Sequence, residues 1–219
     1  MVLPRLYAIL DSNCFSDVHA LCAVADELAV AGCKLLQYRN KSGNARVMLE
    51  QACALKEHLR SHSNAAKDAP LEWATQDSIR LIMNDRADLC LAAEFDGVHI
   101  GQEDLSAESV RNIIGLERWL GVSTHNPEQL READLTSADY LAIGPVFSTS
   151  SKDTPDPVVG LEGVRRARQL TRKPLVAIGG ITRANAASVI DAGADSVAVI
   201  SDLLLDPRKS AEEFFRVLR

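Results

Sequence analysis

Eight short apolar segments recur along the chain, and helical periodicity follows most of them. Apolar strands that alternate with helices are typical of a parallel sheet whose outer face is covered by helices. Eight such units in about 200 residues predict a closed (β/α)8 barrel, also called a TIM barrel. A doubly wound open sheet is the alternative, but no GxGxxG motif follows the first strand. The predicted strands are 5–10, 33–39, 80–84, 97–100, 119–123, 140–145, 174–180 and 195–201.

The chain has 219 residues, of which 47% are hydrophobic, enough for one large core. We therefore expect one domain over residues 1–219. Residues 61–79 are polar and predict a surface insertion at the bottom of the barrel. Residues 146–160 follow the sixth strand at the top, where long loops are often functional, and predict a lid over an active site. The predicted helices include 18–31, 44–60, 106–114, 127–133, 161–170 and 183–191.

Composition excludes several classes of protein. The formal net charge of −6 argues against a nucleic-acid-binding surface, although a cleft on an acidic protein can still bind a small anion. No apolar run approaches the ~20 residues of a membrane span, and the N-terminal segment lacks the features of a signal peptide. The five cysteines are odd in number and most lie in apolar patterns, so we expect buried, reduced thiols in a cytoplasmic protein.

Polar side chains follow most of the predicted strands. Ligands bind at the C-terminal ends of the strands in this fold, so these side chains should converge there. Gln37, Arg39 and Lys41 occupy alternate positions at the end of the second strand and should face the same way. Arg and Lys at such a position are typical phosphate ligands. Asn84, Ser123 and Lys152 follow later strands, whereas His99 and His125 are equally consistent with a structural role.

Asp85 and Asp104 follow adjacent strands and could face one cation. Ligation by oxygen alone favours Mg²⁺ over Zn²⁺. Each aspartate taken singly is better interpreted as an N-cap of the helix that follows it. Taken together, with basic residues on both sides, they indicate a magnesium and pyrophosphate site.

The last two strands indicate a phosphate site. Gly179 and Gly180 permit close approach of the backbone, and Ser201 stands at the start of a short helix. Loops after the seventh and eighth strands commonly bind phosphate in this fold. The alternative is that the glycines only allow a tight turn.

Several motifs together resemble the thiamine phosphate synthase family, over nearly the whole chain. They are QYRNK (37–41), NDRADLCLAAEFDGVHIGQEDL (84–105), GVSTHN (121–126), DYLAIGPVFSTSSK (139–152), AIGGI (177–181) and GADSVAVIS (193–201).

The resemblance implies a TIM barrel that joins a hydroxymethylpyrimidine pyrophosphate to a thiazole phosphate, with Mg²⁺ as cofactor. The products would be thiamine phosphate and pyrophosphate, with CO₂ when the thiazole is carboxylated. The implied partners are these small molecules, with a homo-oligomer possible. The implied metal ligands are Asp85 and Asp104. The implied catalytic residues are Lys152, Arg39, Lys41 and Ser123. The pyrimidine pyrophosphate would be bound by Gln37, Arg39, Lys41, Asn84, Ser123 and Lys152. The thiazole phosphate would be bound by Thr149, Ser150, Ser151, Gly180, Ile200 and Ser201.

The chain departs from the family pattern at Ser151, where Thr is usual, but the hydroxyl is retained. Two rival functions are a thiazole tautomerase and a non-catalytic barrel that binds thiamine phosphate. Neither would need the complete pyrophosphate set, which consists of Arg39, Lys41, Asn84, Asp85, Asp104 and Lys152.

Overall fold

A computed structural model describes residues 1–65, 79–149 and 157–219. In these ranges eight parallel strands form a closed barrel in chain order, and the last strand pairs with the first. The predicted TIM barrel is therefore confirmed. The strands are β1 (Leu6–Asp11), β2 (Leu35–Arg39), β3 (Arg80–Asn84), β4 (Gly97–Ile100), β5 (Trp119–Thr124), β6 (Tyr140–Ile143), β7 (Leu175–Ile178) and β8 (Ser196–Val199).

Eight α-helices in the described residues cover the barrel. Two one-turn 3-10 helices, Ser12–Cys14 and Ser201–Leu203, follow the first and last strands. The predicted insertion begins within the second helix, which extends five residues beyond its predicted end at 60. The rest of that insertion, and the centre of the predicted lid, lie outside the described residues. The helices are α1 (Val18–Val30), α2 (Ala45–Ala65), α3 (Ala87–Ala92), α4 (Ala107–Ile114), α5 (Pro127–Asp134), α6 (Gly160–Leu170), α7 (Ala186–Asp191) and α8 (Pro207–Val217).

Side-chain oxygens mark where several helices begin. Asp17, Ser106, Asn126 and Asp206 each accept a hydrogen bond from a backbone N–H in the first turn of the following helix. Each satisfies a donor that has no partner within its own helix. In α5 and α8 a proline follows the cap, at a position where the missing N–H costs nothing.

Alternation along the strands divides the apolar residues into two cores. Residues on one face, such as Leu36 and Tyr38, pack against the helices. Residues on the other face fill the barrel interior, including Tyr7, Tyr140 and Val176. This period of two is what turns Gln37 and Arg39 into the barrel.

Aspartates close the bottom of the barrel. The carboxylates of Asp96, Asp139 and Asp195 accept hydrogen bonds from N–H groups within the first two residues of the neighbouring strands β3, β5 and β7 respectively, at 2.7 to 2.8 Å. Arg111 and Arg168 pair with Asp139 and Asp195. The bottom is thus sealed by polar contacts within the chain.

Candidate active site

A cavity of about 180 Å³ lies at the opposite end, where the strands terminate. All eight strands contribute lining residues. Every predicted site residue that the structure describes lies on its wall, so the predicted convergence is confirmed as an arrangement of side chains. These residues are Gln37, Arg39, Lys41, Asn84, Asp85, Asp104, Ser123, Thr149, Gly180, Ile200 and Ser201. The remaining three, Ser150, Ser151 and Lys152, lie outside the described residues.

One side of the cavity, which we call the charged wall, consists of Arg39, Lys41, Asn84, Asp85 and Asp104. These residues come from the ends of β2, β3 and β4 and from the loops that follow. Lys41 and Asp85 form an ion pair within this wall, and Arg39 pairs with Asp11 behind it. Such a wall can hold a polyanion together with a metal ion.

Asp11 supports the charged wall from behind. It ends β1, is 4% exposed, and pairs with the Arg39 guanidinium. It also accepts a hydrogen bond of 3.1 Å from the Asn13 N–H. The sequence analysis missed Asp11, although its place at the end of the first strand is the same signal that identified the other residues. Asp11 therefore fixes the position of Arg39.

Lys41 and Asp85 form the second ion pair of the charged wall. The Asp104 carboxyl lies within hydrogen-bonding reach of Asp85. Burial raises the pKa of Asp85, Lys41 opposes this shift, and the neighbouring charge of Asp104 raises the pKa further. Two carboxylates in one partly buried place repel each other, and a cation between them would relieve that repulsion.

The backbone of Asp85 is strained. Its φ is +62°, a left-handed conformation that non-glycine residues adopt infrequently. A hydrogen bond of 2.8 Å from its N–H to the carbonyl of His99 holds this conformation. Strain of this kind costs about 1–3 kcal/mol and is concentrated at functional sites.

The interpretation of the two aspartates as helix caps is wrong. The residue before α3 is Arg86, and no side chain caps that helix. Helix α4 is capped by Ser106, whose hydroxyl accepts from the Ser109 N–H. Asp104 instead accepts a hydrogen bond of 2.7 Å from the Gly101 N–H within its own loop. Both carboxylates are thus available to the cavity.

Asn84 ends β3 and is 7% exposed. Its side-chain nitrogen is buried and makes no hydrogen bond to any residue that the structure describes. A buried donor without a partner costs free energy, so such groups call for an explanation. Because Asn84 lines the cavity, an acceptor on a bound ligand would satisfy it.

The other side of the cavity, which we call the glycine wall, consists of Thr149, Gly179, Gly180, Ile200 and Ser201. No charged residue is present among the described lining residues of β7, β8 and their loops. This side therefore offers hydroxyls and backbone N–H groups.

Both glycines are required by the chain itself. Gly179 and Gly180 have φ of +99° and +63°. A Cβ on Gly180 would lie 2.5 Å from the carbonyl oxygen of Ser148, and one on Gly179 would lie 2.6 Å from Pro145. The tight-turn interpretation accounts for both residues, so their presence alone is not a signal of phosphate.

The two histidines differ in their contacts. His125 Nδ1 bonds to the carbonyl oxygen of Gly144 at 2.6 Å, which ties β5 to β6. His99 bonds through Nε2 to Ser123 Oγ at 2.8 Å and through Nδ1 to Tyr140 Oη at 3.1 Å. Both line the cavity, and His99 contacts Ser123, one of the residues predicted to bind substrate.

The five cysteines are free thiols. Cys22, Cys33 and Cys90 are buried as expected, whereas Cys14 and Cys53 are exposed. Burial raises the pKa of Cys33 to about 11 and that of Cys90 to about 12, so these two thiols are unreactive at neutral pH.

The residues that the structure describes contain no group of three or more His, Cys, Asp or Glu side chains arranged to hold a metal ion. A metal at Asp85 and Asp104 would therefore need further oxygen ligands from substrate or water. None of the helices in the described ranges is long and apolar enough to cross a membrane.

A closed parallel barrel, with a cavity that carries charged and polar side chains at the C-terminal ends of its strands, defines the class of TIM-barrel enzymes. The family model described as thiamine monophosphate synthase matches residues 6–203. The chain belongs to this family.

Known relatives carry names consistent with this membership. The thiamine-phosphate synthase of Koribacter versatilis is 55% identical, over 99% of this chain and 96% of that protein. That of Chloroflexus aurantiacus is 40% identical, over 90% and 83% respectively. The solved structure of thiamine phosphate pyrophosphorylase from Pyrococcus furiosus has a TM-score of 0.77 and 33% identity, over 98% of this chain and 95% of that one.

Proposed function

We propose that this chain is a transferase that makes thiamine phosphate. It joins 4-amino-2-methyl-5-(diphosphooxymethyl)pyrimidine to a thiazole phosphate and releases pyrophosphate. The observation that carries the proposal is the charged wall, in a member of this family. It brings together the Lys41–Asp85 ion pair, the adjacent Asp104 carboxyl and Arg39, which Asp11 holds from behind. It also contains the buried Asn84 side-chain nitrogen, which has no partner among the described residues.

The reaction exchanges one bond for another. The CH₂–O bond of the pyrimidine substrate breaks, and its electron pair leaves with pyrophosphate. The thiazole nitrogen supplies the lone pair for the new C–N bond and becomes a thiazolium nitrogen. When the thiazole carries a carboxylate, that group leaves as CO₂, and the carbon that keeps the electron pair takes up a proton. The electron-rich aminopyrimidine can delocalise positive charge, so a dissociative path is open and no protein nucleophile is required.

The charged wall stabilises the leaving group. Arg39 offers a guanidinium fork and Lys41 an ammonium to the pyrophosphate oxygens. Lys152 is proposed to add a third cation. Charged groups that are already in place stabilise developing charge without a cost of reorganisation, and loss of one such donor typically lowers kcat by about 10²–10³-fold.

The residues present fit a magnesium ion. Asp85 and Asp104 are adjacent, and burial together with that neighbour raises the pKa of Asp85 even though Lys41 pairs with it. These two side chains would hold Mg²⁺. When bound, the ion would neutralise charge that develops on the leaving pyrophosphate.

The substrates would lie side by side in the cavity. Gln37, the deepest of the three donors on β2 and its loop, would contact the pyrimidine ring, while Asn84 and Ser123, which also line the cavity, would supply further polar contacts. The glycine wall would take the thiazole phosphate through the Gly180 backbone and the hydroxyls of Thr149 and Ser201, with Ser150 and Ser151 as the remaining proposed ligands. Orientation of two substrates in one cavity can supply about 7–11 kcal/mol of the barrier.

The two rival functions do not use the charged wall. A tautomerase acts on the thiazole phosphate alone, and a non-catalytic barrel that binds thiamine phosphate has no leaving group to stabilise. The strained backbone at Asp85 and its pairing with Lys41 are therefore better explained by pyrophosphate transfer.

One experiment separates these functions. The purified protein is mixed with both substrates and Mg²⁺, and the released pyrophosphate is measured. We expect release only when the thiazole phosphate and the metal are both present. A folded protein that releases none would contradict the proposal, and conversion of the thiazole phosphate alone would favour the tautomerase.

A cytoplasmic location and a homo-oligomer remain part of the proposal. Both substrates are phosphorylated small molecules, which suits an enzyme of the cytoplasm. Cell fractionation and light scattering of the purified protein measure these two properties.

A further inference from the structure

Five polar side chains from five different strands form a continuous chain of hydrogen bonds through the barrel interior. It begins and ends at residues proposed to contact the pyrimidine pyrophosphate. The members, in order, are Gln37, Tyr7, Tyr140, His99 and Ser123.

We call this chain of five side chains the relay, and its hydrogen bonds are of ordinary length. Gln37 Nε2 lies 2.8 Å from Tyr7 Oη, which lies 3.1 Å from Tyr140 Oη. Tyr140 Oη lies 3.1 Å from His99 Nδ1, and His99 Nε2 lies 2.8 Å from Ser123 Oγ. The Tyr7 and Tyr140 rings meet edge to face, and the His99 ring stacks on Tyr140.

The first donor, and the need of each buried hydroxyl proton for an acceptor, give the later bonds a direction. An amide nitrogen can only donate, so Tyr7 Oη accepts from Gln37. The Tyr7 proton then needs an acceptor of its own, and Tyr140 Oη offers one at 3.1 Å. Tyr140 then donates to His99 Nδ1. A neutral imidazole that accepts at Nδ1 carries its proton on Nε2, and this N–H donates to Ser123. The Ser123 oxygen is thereby used as an acceptor, and its proton is left to donate into the cavity.

Both tyrosines stay neutral, as the relay requires. Burial raises the pKa of Tyr7 and that of Tyr140 far above the ordinary value, so each hydroxyl keeps its one proton at physiological pH. A hydroxyl with a single proton can donate in only one direction at a time.

Tyr140 is held below the cavity floor. It is fully buried and does not line the cavity, so a bound substrate does not touch it. Its ring occupies space left by Gly121 on β5, where a Cβ would lie 2.1 Å from Tyr140 Cζ. The absence of a side chain at Gly121 therefore makes the central link of the relay possible.

We propose that Tyr7, Tyr140 and His99 are positioning residues that orient the Ser123 hydroxyl as a hydrogen-bond donor to an acceptor atom of the pyrimidine pyrophosphate. The identity of the ligand rests on the proposed function. The direction of the hydrogen bonds in the relay does not depend on which ligand binds. The direction and the identity of the ligand can therefore be tested separately.

The first test measures the histidine tautomer in the free protein. Nitrogen-15 NMR of protein labelled at histidine distinguishes a protonated from an unprotonated ring nitrogen, and single substitutions of the other four histidines identify the His99 signals. We expect a neutral His99 with its proton on Nε2. A proton on Nδ1, or on both nitrogens, would overturn the proposal even if the enzyme is active.

The second test breaks the relay at Tyr140, which no ligand contacts. We expect Tyr140→Phe to lower kcat/KM for the pyrimidine pyrophosphate about tenfold, the usual scale for loss of one buried hydrogen bond near charge. The KM for the thiazole phosphate should not change. The matched control is Tyr38→Phe, since the Tyr38 hydroxyl bonds to Gln51 on the outer face of the barrel.

A double-mutant cycle with Ser123→Ala distinguishes positioning from packing. If Tyr140 acts through Ser123, Tyr140→Phe should have little further effect once the serine hydroxyl is gone. An equal loss in both backgrounds would show a merely structural role and overturn the proposal. Absence of pyrophosphate release by the wild-type protein would instead refute the proposed function and leave the tautomer result standing.

Discussion

The two walls of the cavity differ in the groups that they offer to an anion. The charged wall offers side chains, and its cations are already paired with Asp11 and Asp85. The glycine wall has no charged lining residue in the described part of the chain and offers backbone and hydroxyl groups. Under the proposed function, the charged wall would stabilise a charge that changes during reaction, whereas the glycine wall would hold a phosphate that does not react.

The largest effect should come from the carboxylates of the charged wall. We expect Asp85→Asn or Asp104→Asn to lower kcat/KM by about 10²-fold or more and to weaken the dependence on Mg²⁺. A magnesium titration of pyrophosphate release measures both. The control is Asp88→Asn, an exposed carboxylate that pairs with Arg86 outside the cavity. An unchanged magnesium titration in both variants would contradict the assignment of a magnesium site to the charged wall.

The second-largest effect on the kinetics should come from Asp11, which supports the charged wall from behind. Asp11→Asn removes the charge that fixes Arg39, and we expect it to raise KM for the pyrimidine pyrophosphate by about tenfold, because displaced binding groups lose much of their effect. Steady-state kinetics with each substrate varied in turn measure the change. Combined with Arg39→Ala, the Asp11 substitution should add little, since both act through one guanidinium. Additive losses would show that Asp11 acts elsewhere.

A bulkier residue in the glycine wall should weaken binding of the thiazole phosphate without affecting the substrate of the charged wall. Gly180→Ala places a Cβ 2.5 Å from the Ser148 carbonyl oxygen, so the loop must shift, and we expect KM for the thiazole phosphate to rise about fivefold to tenfold. Affinity for the pyrimidine substrate should stay the same. Gly115→Ala is a matched control, because Gly115 has a similar φ of +74° and no heavy atom within 4 Å of a new Cβ. Equal effects on both substrates would contradict the separation of the walls.

The smallest effect concerns stability. Since the folded protein raises the pKa of Asp85, it binds that proton more tightly than the unfolded chain does, and the ionised carboxylate destabilises the fold. Without Mg²⁺ at neutral pH, Asp85→Asn should therefore be slightly more stable than wild type. The difference should shrink as pH falls through the raised pKa, because wild type then takes up a proton. Urea unfolding across a pH series measures the difference in the free energy of unfolding between the two proteins. An Asp85→Asn variant that is less stable than wild type at neutral pH would contradict this prediction.

Much of the fold was predictable because each strand has its own local signal. The predicted strands at 80–84 and 97–100 match the observed strands at both ends. Each of the other six predicted strands differs from the observed one by one or two residues, at one end or at both. Helix α8, at 207–217, is not among the predicted segments, although Asp206 and Pro207 form a common start signal. The second helix continues to residue 65 through polar sequence, where a loop was predicted.

The candidate site was less predictable where contacts join distant residues. Alternation correctly placed Gln37, Arg39 and Lys41 on the cavity wall. The pairing of Asp11 with Arg39 spans 28 positions and has no local pattern. The helix-cap alternative for Asp85 was wrong because the chain turns through a left-handed residue instead of starting the helix there.

The sequence by itself determined the barrel and the residues at its mouth, since a period of two along strands and the order of strands are local properties. Only the tertiary structure decided which of those residues touch. The relay from Gln37 to Ser123 joins strands that are far apart in the chain, and it exists because Gly121 leaves room for Tyr140. Closure of the barrel brings these side chains within hydrogen-bonding distance, and no segment of the sequence contains that information alone.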